Sequence, residues 1–153
     1  MFDPLNFQAA KNISGPLSWY EEGTWTPTVT MGSSQGTAAV AILGGDGTAK
    51  FTRTGRVVFI SAFLRFTKGT GTGAVTFGGL PYVAANTFSA LSAISDAGIT
   101  TPASTSAPCS YVSPGLATIA SEFQSITGAG STTVQATHCS ANWDVIITGS
   151  YVV

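Results

Sequence analysis

The chain has 153 residues and a formal net charge of −1, and only 8% of its residues are Asp, Glu, Lys or Arg, against roughly 25% in an average soluble domain. That length suits one domain, or one domain with an arm, and the charge balance excludes a general electrostatic affinity for nucleic acid, which needs a basic face that releases counterions. So few charges allow two readings, a Thr/Ser-rich β surface that hydration tolerates or a surface much of which meets copies of itself, and assembly is the favoured one.

Residues 1–15 place Asp3 and Pro4 where a secretory signal has its basic region, and no sustained apolar run follows, so no such signal is expected. The longest apolar segment, Ala38 to Leu43, is far short of the roughly 20 residues that cross a bilayer. Phe2 to Ser14 reads as a short helix or arm. Asp3 can cap it, Pro4 suits its first position, and Leu5, Phe7, Ala9, Ala10 and Ile13 form an apolar stripe that ends at Gly15-Pro16. Such a stripe either caps the chain's own sheets or docks on a partner. The pattern Asn12-Ile13-Ser14 matches a glycosylation acceptor, which without secretion is a chance match.

From Trp19 the pattern becomes β. Gly23 and Pro27 interrupt the first strand and predict an edge or an irregularity, because proline cannot donate to a ladder. Thr37 to Leu43 reads as a short strand, and Gly44-Gly45-Asp46-Gly47 as a hairpin turn. The stretch Phe51 to Phe66 then divides by the two-residue period of a strand. Val58, Ile60, Ala62, Leu64 and Phe66 share one face; Val57, Phe59, Ser61, Phe63 and Arg65 share the other. Both faces are largely apolar, which predicts a central strand covered on both sides, with Phe59 and Phe63 as candidates for a subunit contact. Trp19 is a third candidate for that contact. Glu21 and Glu22 are expected to lie near Arg53 and Arg56 as a structural tie.

Beyond Phe66, a Gly/Thr turn leads to a short strand ending at Phe77, and Gly78 to Tyr82 marks a bend between sheets. Phe88 to Ile99 alternates as a strand. Thr100 to Pro108 reads as an exposed loop and the best candidate for partner contact. Leu116 to Ile126 fits a strand or a short helix, Thr132 to Cys139 another strand, and Trp143 to Val153 a closing strand with Val145, Ile147, Gly149, Tyr151 and Val153 on one face. Short strands punctuated by turns, with no long helical period, predict an all-β fold. We expect an antiparallel, jelly-roll-like β-sandwich over residues 20–153, preceded by an arm over residues 1–19.

Chemistry is sparse. A glycosidase needs two carboxylates about 5 to 10 Å apart across a sugar; of the seven acids, Asp3, Glu21, Glu22, Asp46, Asp96, Glu122 and Asp144, the adjacent Glu21 and Glu22 diverge on a strand, which leaves only a pair drawn from distant segments for such a role. No catalytic residues, cofactor or metal site are expected. His138 is the only histidine, adjacent to Cys139, and a structural zinc site usually takes four ligands. Cys109 and Cys139 are expected to be small buried hydrophobes. Trp25 and Trp143 read as core; Trp19, Trp25 and Trp143 are also the residue type that stacks on sugar rings.

Four stretches occur in an order that resembles a known family: Tyr20-Glu21-Glu22-Gly23-Thr24-Trp25-Thr26-Pro27, Phe51-Thr52-Arg53-Thr54-Gly55-Arg56-Val57-Val58, Gly79-Leu80-Pro81-Tyr82, and Thr148-Gly149-Ser150-Tyr151. Together they resemble the β-rich C-terminal module of bacteriophage tail fibres, tailspikes and related virion proteins. The resemblance implies a β-sandwich that trimerises and serves as a fibre tip, spike or receptor-binding head in the virion, made in the host cytoplasm; the sparse chemistry, and not the resemblance, makes an enzyme unexpected. It also implies partners: copies of itself, other virion proteins through the arm, and host cell-surface polysaccharide as a receptor. Only nineteen residues precede the first stretch, where family members carry a long shaft, so a small trimer seated by its arm is expected. A capsid-decorating, or cement, protein bridging other virion proteins is the alternative.

Overall fold

The computed structural model describes residues 19–32, 39–42, 48–128 and 130–153. The helix or arm expected over Phe2 to Ser14 and the turn expected at Gly44 to Gly47 lie outside the described residues. Eleven strands form one antiparallel sheet: β1 (Tyr20–Trp25), β2 (Thr28–Met31), β3 (Ala39–Ile42), β4 (Ala49–Thr54), β5 (Val57–Thr67), β6 (Val75–Gly78), β7 (Ser89–Ile99), β8 (Thr105–Val112), β9 (Ile119–Ser125), β10 (Ser131–Thr133) and β11 (Cys139–Val152). Their order is β1-β4-β5-β11-β7-β8-β9-β6-β2, with β10 added to β9 and β3 to β5. The all-β, antiparallel class read from the turn-punctuated pattern is the class observed.

The sheet curls so that its two halves face each other across one core. Phe66 on β5 and Trp143 on β11 have ring centroids 4.8 Å apart, and Phe77 on β6, from the opposite half, lies 5.4 Å from Phe66 and 5.8 Å from Trp143. Val58, Ile60, Leu64, Val112, Ile119, Phe123, Val145, Ile147 and Tyr151 complete this interior. Burying each large apolar side chain contributes about 1.5–3 kcal/mol, offset by the entropy of ordering the chain. Trp25 and Trp143 are buried, as their strand positions predict, and their indole N–H groups have no acceptor among the described residues.

Phe51 to Phe66 is two strands and not one. Gly55, at φ 59°, lets the chain reverse between β4 and β5, which then pair from Thr54↔Val57 to Lys50↔Ser61. Phe51 before the turn and Val58 and Ile60 after it all point inward, so the inward positions pass from odd to even numbers across Gly55. The face expected to be buried is buried throughout β5: Val58, Ile60, Ala62, Leu64 and Phe66. The opposite face is not covered among the described residues. Phe59 on it is 52% exposed.

β11 organises the sheet. It pairs with β5 from Asn142↔Thr67 to Val152↔Val57 on one side and with β7 on the other, and the register to β7 shifts between Cys139 and Val145. The strand expected from Trp143 therefore begins earlier, at Cys139, with an irregularity that lets it change partners' spacing. Thr132 to Cys139 is not one strand; β10 gives way to a 3-10 turn at Ala136–His138. The loop expected over Thr100 to Pro108 is shorter, because β8 begins at Thr105. Pro108 is accommodated where the β8–β9 register shifts, the kind of position a residue without an N–H tolerates. Cys139 is buried as expected, but Cys109 is exposed. It stands on the outer face of β8, opposite Glu122, where the strand period puts alternate residues in solvent.

Candidate functional site

Two regions of the surface gather polar and aromatic side chains. The first lies at the end of the sheet where β1 starts, β4 turns into β5 and β11 ends. Here the bend read at Gly78 to Tyr82 brings Tyr82 against three strands. Gly79 begins the approach: its φ is 80°, and a Cβ there would stand 2.0 Å from the Thr26 carbonyl oxygen. The Tyr82 hydroxyl donates to Glu21, its ring meets Phe51 edge-on at 5.8 Å, and the Arg53 guanidinium lies 4.6 Å from its centroid. The Tyr151 hydroxyl clasps the Tyr82 backbone, accepting from its N–H and donating to its C=O, each at 3.2 Å.

All four stretches behind the family resemblance therefore meet at Tyr82. Glu21 comes from the first, Phe51 and Arg53 from the second, Tyr82 from the third and Tyr151 from the fourth. Glu21 and Arg53 are direct partners in the β1–β4 register. Arg53 also donates to the Gly55 carbonyl at 2.9 Å and lies 5.4 Å from the ring of Trp19, which is 63% exposed. Glu22 instead accepts from the Tyr20 hydroxyl. Arg56 holds the C-terminus, its Nε donating to the Val153 carbonyl at 2.9 Å while the Val153 N–H returns to Arg56 at 2.8 Å.

Electrostatics follow these contacts. Accepting hydrogen bonds from tyrosines, Glu21 and Glu22 raise the pKa of Tyr82 and of Tyr20 above the ordinary phenol range. Burial pushes the Tyr151 hydroxyl up to about 12. Tyr111 is likewise raised, first by desolvation and then by its hydrogen bond to Glu122. Asp144 accepts two hydrogen bonds from Arg65, at 2.7 and 2.6 Å, and that pair holds its carboxyl below the usual range. Described carboxylates are thus engaged by hydroxyls or a guanidinium. No group of three or more His, Cys, Asp or Glu side chains that could hold a metal occurs among the described residues. The backbone N–H of Gln135 donates to His138 Nδ1, and the His138 ring packs edge-on against Phe123.

The second region is the outer face of β4, β5 and β11, where Phe59 and Phe63 lie. The pairing registers arrange this face in rows across the strands. Thr52, Phe59 and Ser150 form one row; Lys50, Ser61, Thr148 and Ser92 form the next; Phe63 and Ile146 form the third. The first two rows border an open groove of about 360 Å³, with the Phe59 ring beside hydroxyl-bearing side chains. Sequence reading missed it, because Lys50, Ser61, Thr148 and Ser150 come from three strands and only the register puts them together. Phe63 stands beside Ile146, which is 39% exposed, on the far side of the hydroxyl row.

No family model matches the sequence, and no curated protein matches it. Among solved structures, the fold is similar to part of the crystal structure of the Dettilon tailspike protein (gp208), with a TM-score of 0.65 and 16% sequence identity over 87% of this chain. The chain spans only 24% of that tailspike's length. At this identity the likeness is one of fold: the curled antiparallel sheet is an architecture also found within a phage tailspike.

Proposed function

We propose that this chain is a bacteriophage virion structural protein of the tail, a homotrimeric fibre or spike head that takes part in binding the host receptor. The observation that carries the reading is the fold likeness to a tailspike over most of the chain, joined to the four sequence stretches that resemble tail-fibre modules. Two features agree with a structural and not a catalytic role. The family-like residues converge on Tyr82 as a clasp that fixes the end of the sheet, and the described carboxylates are held by tyrosines or Arg65. The scarcity of charge supports assembly, since surfaces that meet copies of themselves carry fewer charges at their centre.

In this reading the protein resides in the virion, residues 1–19 attach it to other virion proteins, and a cell-surface polysaccharide is the receptor class. Phe63, beside Ile146, is the residue of choice for the contact between copies. Light scattering on the purified chain is expected to give about three times 15.6 kDa, and antibody labelling of intact particles is expected to mark the tail. A monomer in solution overturns the trimer, and labelling confined to the capsid lattice overturns the tail assignment in favour of capsid decoration.

A further inference from the structure

We propose that the groove beside Phe59 is a carbohydrate-binding site that stacks a pyranose ring on the Phe59 face and hydrogen-bonds its hydroxyls to Thr52, Ser61, Thr148 and Ser150. This deepens the receptor reading above by giving it a location and a chemistry. A pyranose presents an apolar C–H face ringed by hydroxyls, and each hydroxyl both donates and accepts. Its complement is an exposed aromatic ring surrounded by groups with the same dual capacity. The groove has both. Phe59 is 52% exposed, makes no ring contact with another aromatic among the described residues, and is flanked in register by Thr52 and Ser150.

Some serine and threonine hydroxyls bond within the chain: Ser110 with Ser121 at 2.6 Å, Ser125 with Thr127 at 3.0 Å, Thr67 with Asn142 at 3.2 Å, and Thr105 with the Pro102 carbonyl at 2.7 Å. The side chains of Thr52, Ser61, Thr148 and Ser150 have no such partner among the described residues. They stand on rigid, paired strands, so their spacing is fixed before a ligand arrives, which lowers the ordering cost of binding. Lys50 borders the same groove and adds a cation at its side.

A second copy of the chain is the competing occupant, and the row order disfavours it. Between Phe59 and Phe63, about 13 Å apart along β5, lies the row of Lys50, Ser61, Thr148 and Ser92. An apolar subunit face pressed over that row would leave its hydroxyls dry and unpaired, whereas a sugar would satisfy them. Phe63 and Ile146 lie beyond the row, so a contact between copies there and a sugar at Phe59 can coexist.

The test is a titration of the isotopically labelled full chain with D-glucose, D-galactose, N-acetyl-D-glucosamine and D-glucuronate, followed by amide shifts in two-dimensional NMR. Saturable shifts at residues 50–52, 59–61 and 148–150 are expected with at least one sugar. Phe59→Ala should weaken that binding by about tenfold; Phe59→Trp should retain it, and Ser61→Val, which suits a strand but lacks the hydroxyl, should also weaken it. Absence of saturable shifts at these residues with all four sugars overturns the proposal, as does undiminished binding in Phe59→Ala. Light scattering on the same samples separates the two readings. A Phe59→Ala chain of native mass that loses the sugar supports the groove, and one that falls to monomers makes the face a subunit contact and overturns it. A monomeric native chain that binds sugar removes the trimer and leaves the groove standing.

Discussion

Replacing Tyr151 with phenylalanine removes one oxygen from the centre of the clasp and keeps the ring in place. Tyr151 is 1% exposed, and its hydroxyl both accepts from and donates to the Tyr82 backbone at 3.2 Å. Hydrogen bonds of this kind contribute about 0.5–1.5 kcal/mol each, and a donor left without a partner adds to the loss. Tyr151→Phe is therefore expected to cost about 1–3 kcal/mol at neutral pH, a fall in Tm of roughly 3–10 °C for a chain of this size. The same substitution has a signature in alkali. The phenol ionises near 10 when unfolded and about 12 when folded, so its raised pKa contributes stability that is fully present below pH 10. That stability is lost as pH rises from 10 towards 12, at about 1.4 kcal/mol per pH unit, because only the unfolded chain then releases the proton. Tyr20, Tyr82 and Tyr111 are shifted in the same direction, so the difference between the native protein and Tyr151→Phe is the quantity to read. Urea denaturation at a series of pH values should show a deficit for the variant at pH 7 that shrinks, then reverses, between pH 10 and 12. A variant as stable as the native protein at pH 7, with a parallel decline in alkali, refutes the clasp.

Other expectations follow from single contacts. Gly79→Ala places a methyl group against the Thr26 carbonyl at a φ of 80° and is expected to cost about 2–4 kcal/mol by thermal denaturation. Phe66→Ala removes the ring that joins Trp143 to Phe77 across the core and is expected to cost about 3–5 kcal/mol in urea. Iodoacetamide on the native protein should label Cys109, which is exposed. Cys139, buried with its thiol pushed up to about 11, should react only after denaturation; mass spectrometry of peptides reads both. The depressed Asp144 carboxyl contributes stability that is present above the ordinary carboxylate range and lost as pH falls through its folded value. Asp144→Asn, which removes that titration, should flatten the acid limb of a stability curve measured from pH 6 to pH 2.

The inward face of β5 was legible because burial on one side of a sheet imposes a strict two-residue period, and Val58 through Phe66 obey it. The turn at Gly55 breaks that period. The inward set passes from Ala49 and Phe51 to Val58 and Ile60, so the alternation changes phase across the reversal, where Thr54-Gly55-Arg56 stands. The outer face is legible only in part: Phe59 and Ile146 are exposed within one chain, and what covers them in an assembly is not written in one strand's period. Cys109 and Pro108 show the same limit, because which side of β8 faces solvent depends on the register shift against β9. Rows such as Thr52–Phe59–Ser150 could not be read at all, since they join residues nearly a hundred positions apart.

The side chains of the Tyr82 clasp and the side chains placed in the groove are different sets, although Thr52, Thr148 and Ser150 lie in the same sequence stretches as Phe51, Arg53 and Tyr151. Glu21, Phe51, Arg53, Tyr82 and Tyr151 fix one end of the sheet. Phe59, Ser61 and Thr148 lie outside that clasp; their side chains stand on the outer face, where substitution leaves the core intact. The two sets are therefore separable by experiment. Changes at the clasp should lower stability while leaving sugar affinity in the surviving folded fraction unchanged, and changes in the groove should lower affinity while leaving stability within about 0.5 kcal/mol. If stability and affinity instead fall together at Phe59, that ring belongs to the framework and the groove loses its stacking platform. If they separate, the fold supplies a rigid scaffold on whose outer rows binding specificity can vary without disturbing the end that holds the sheet together.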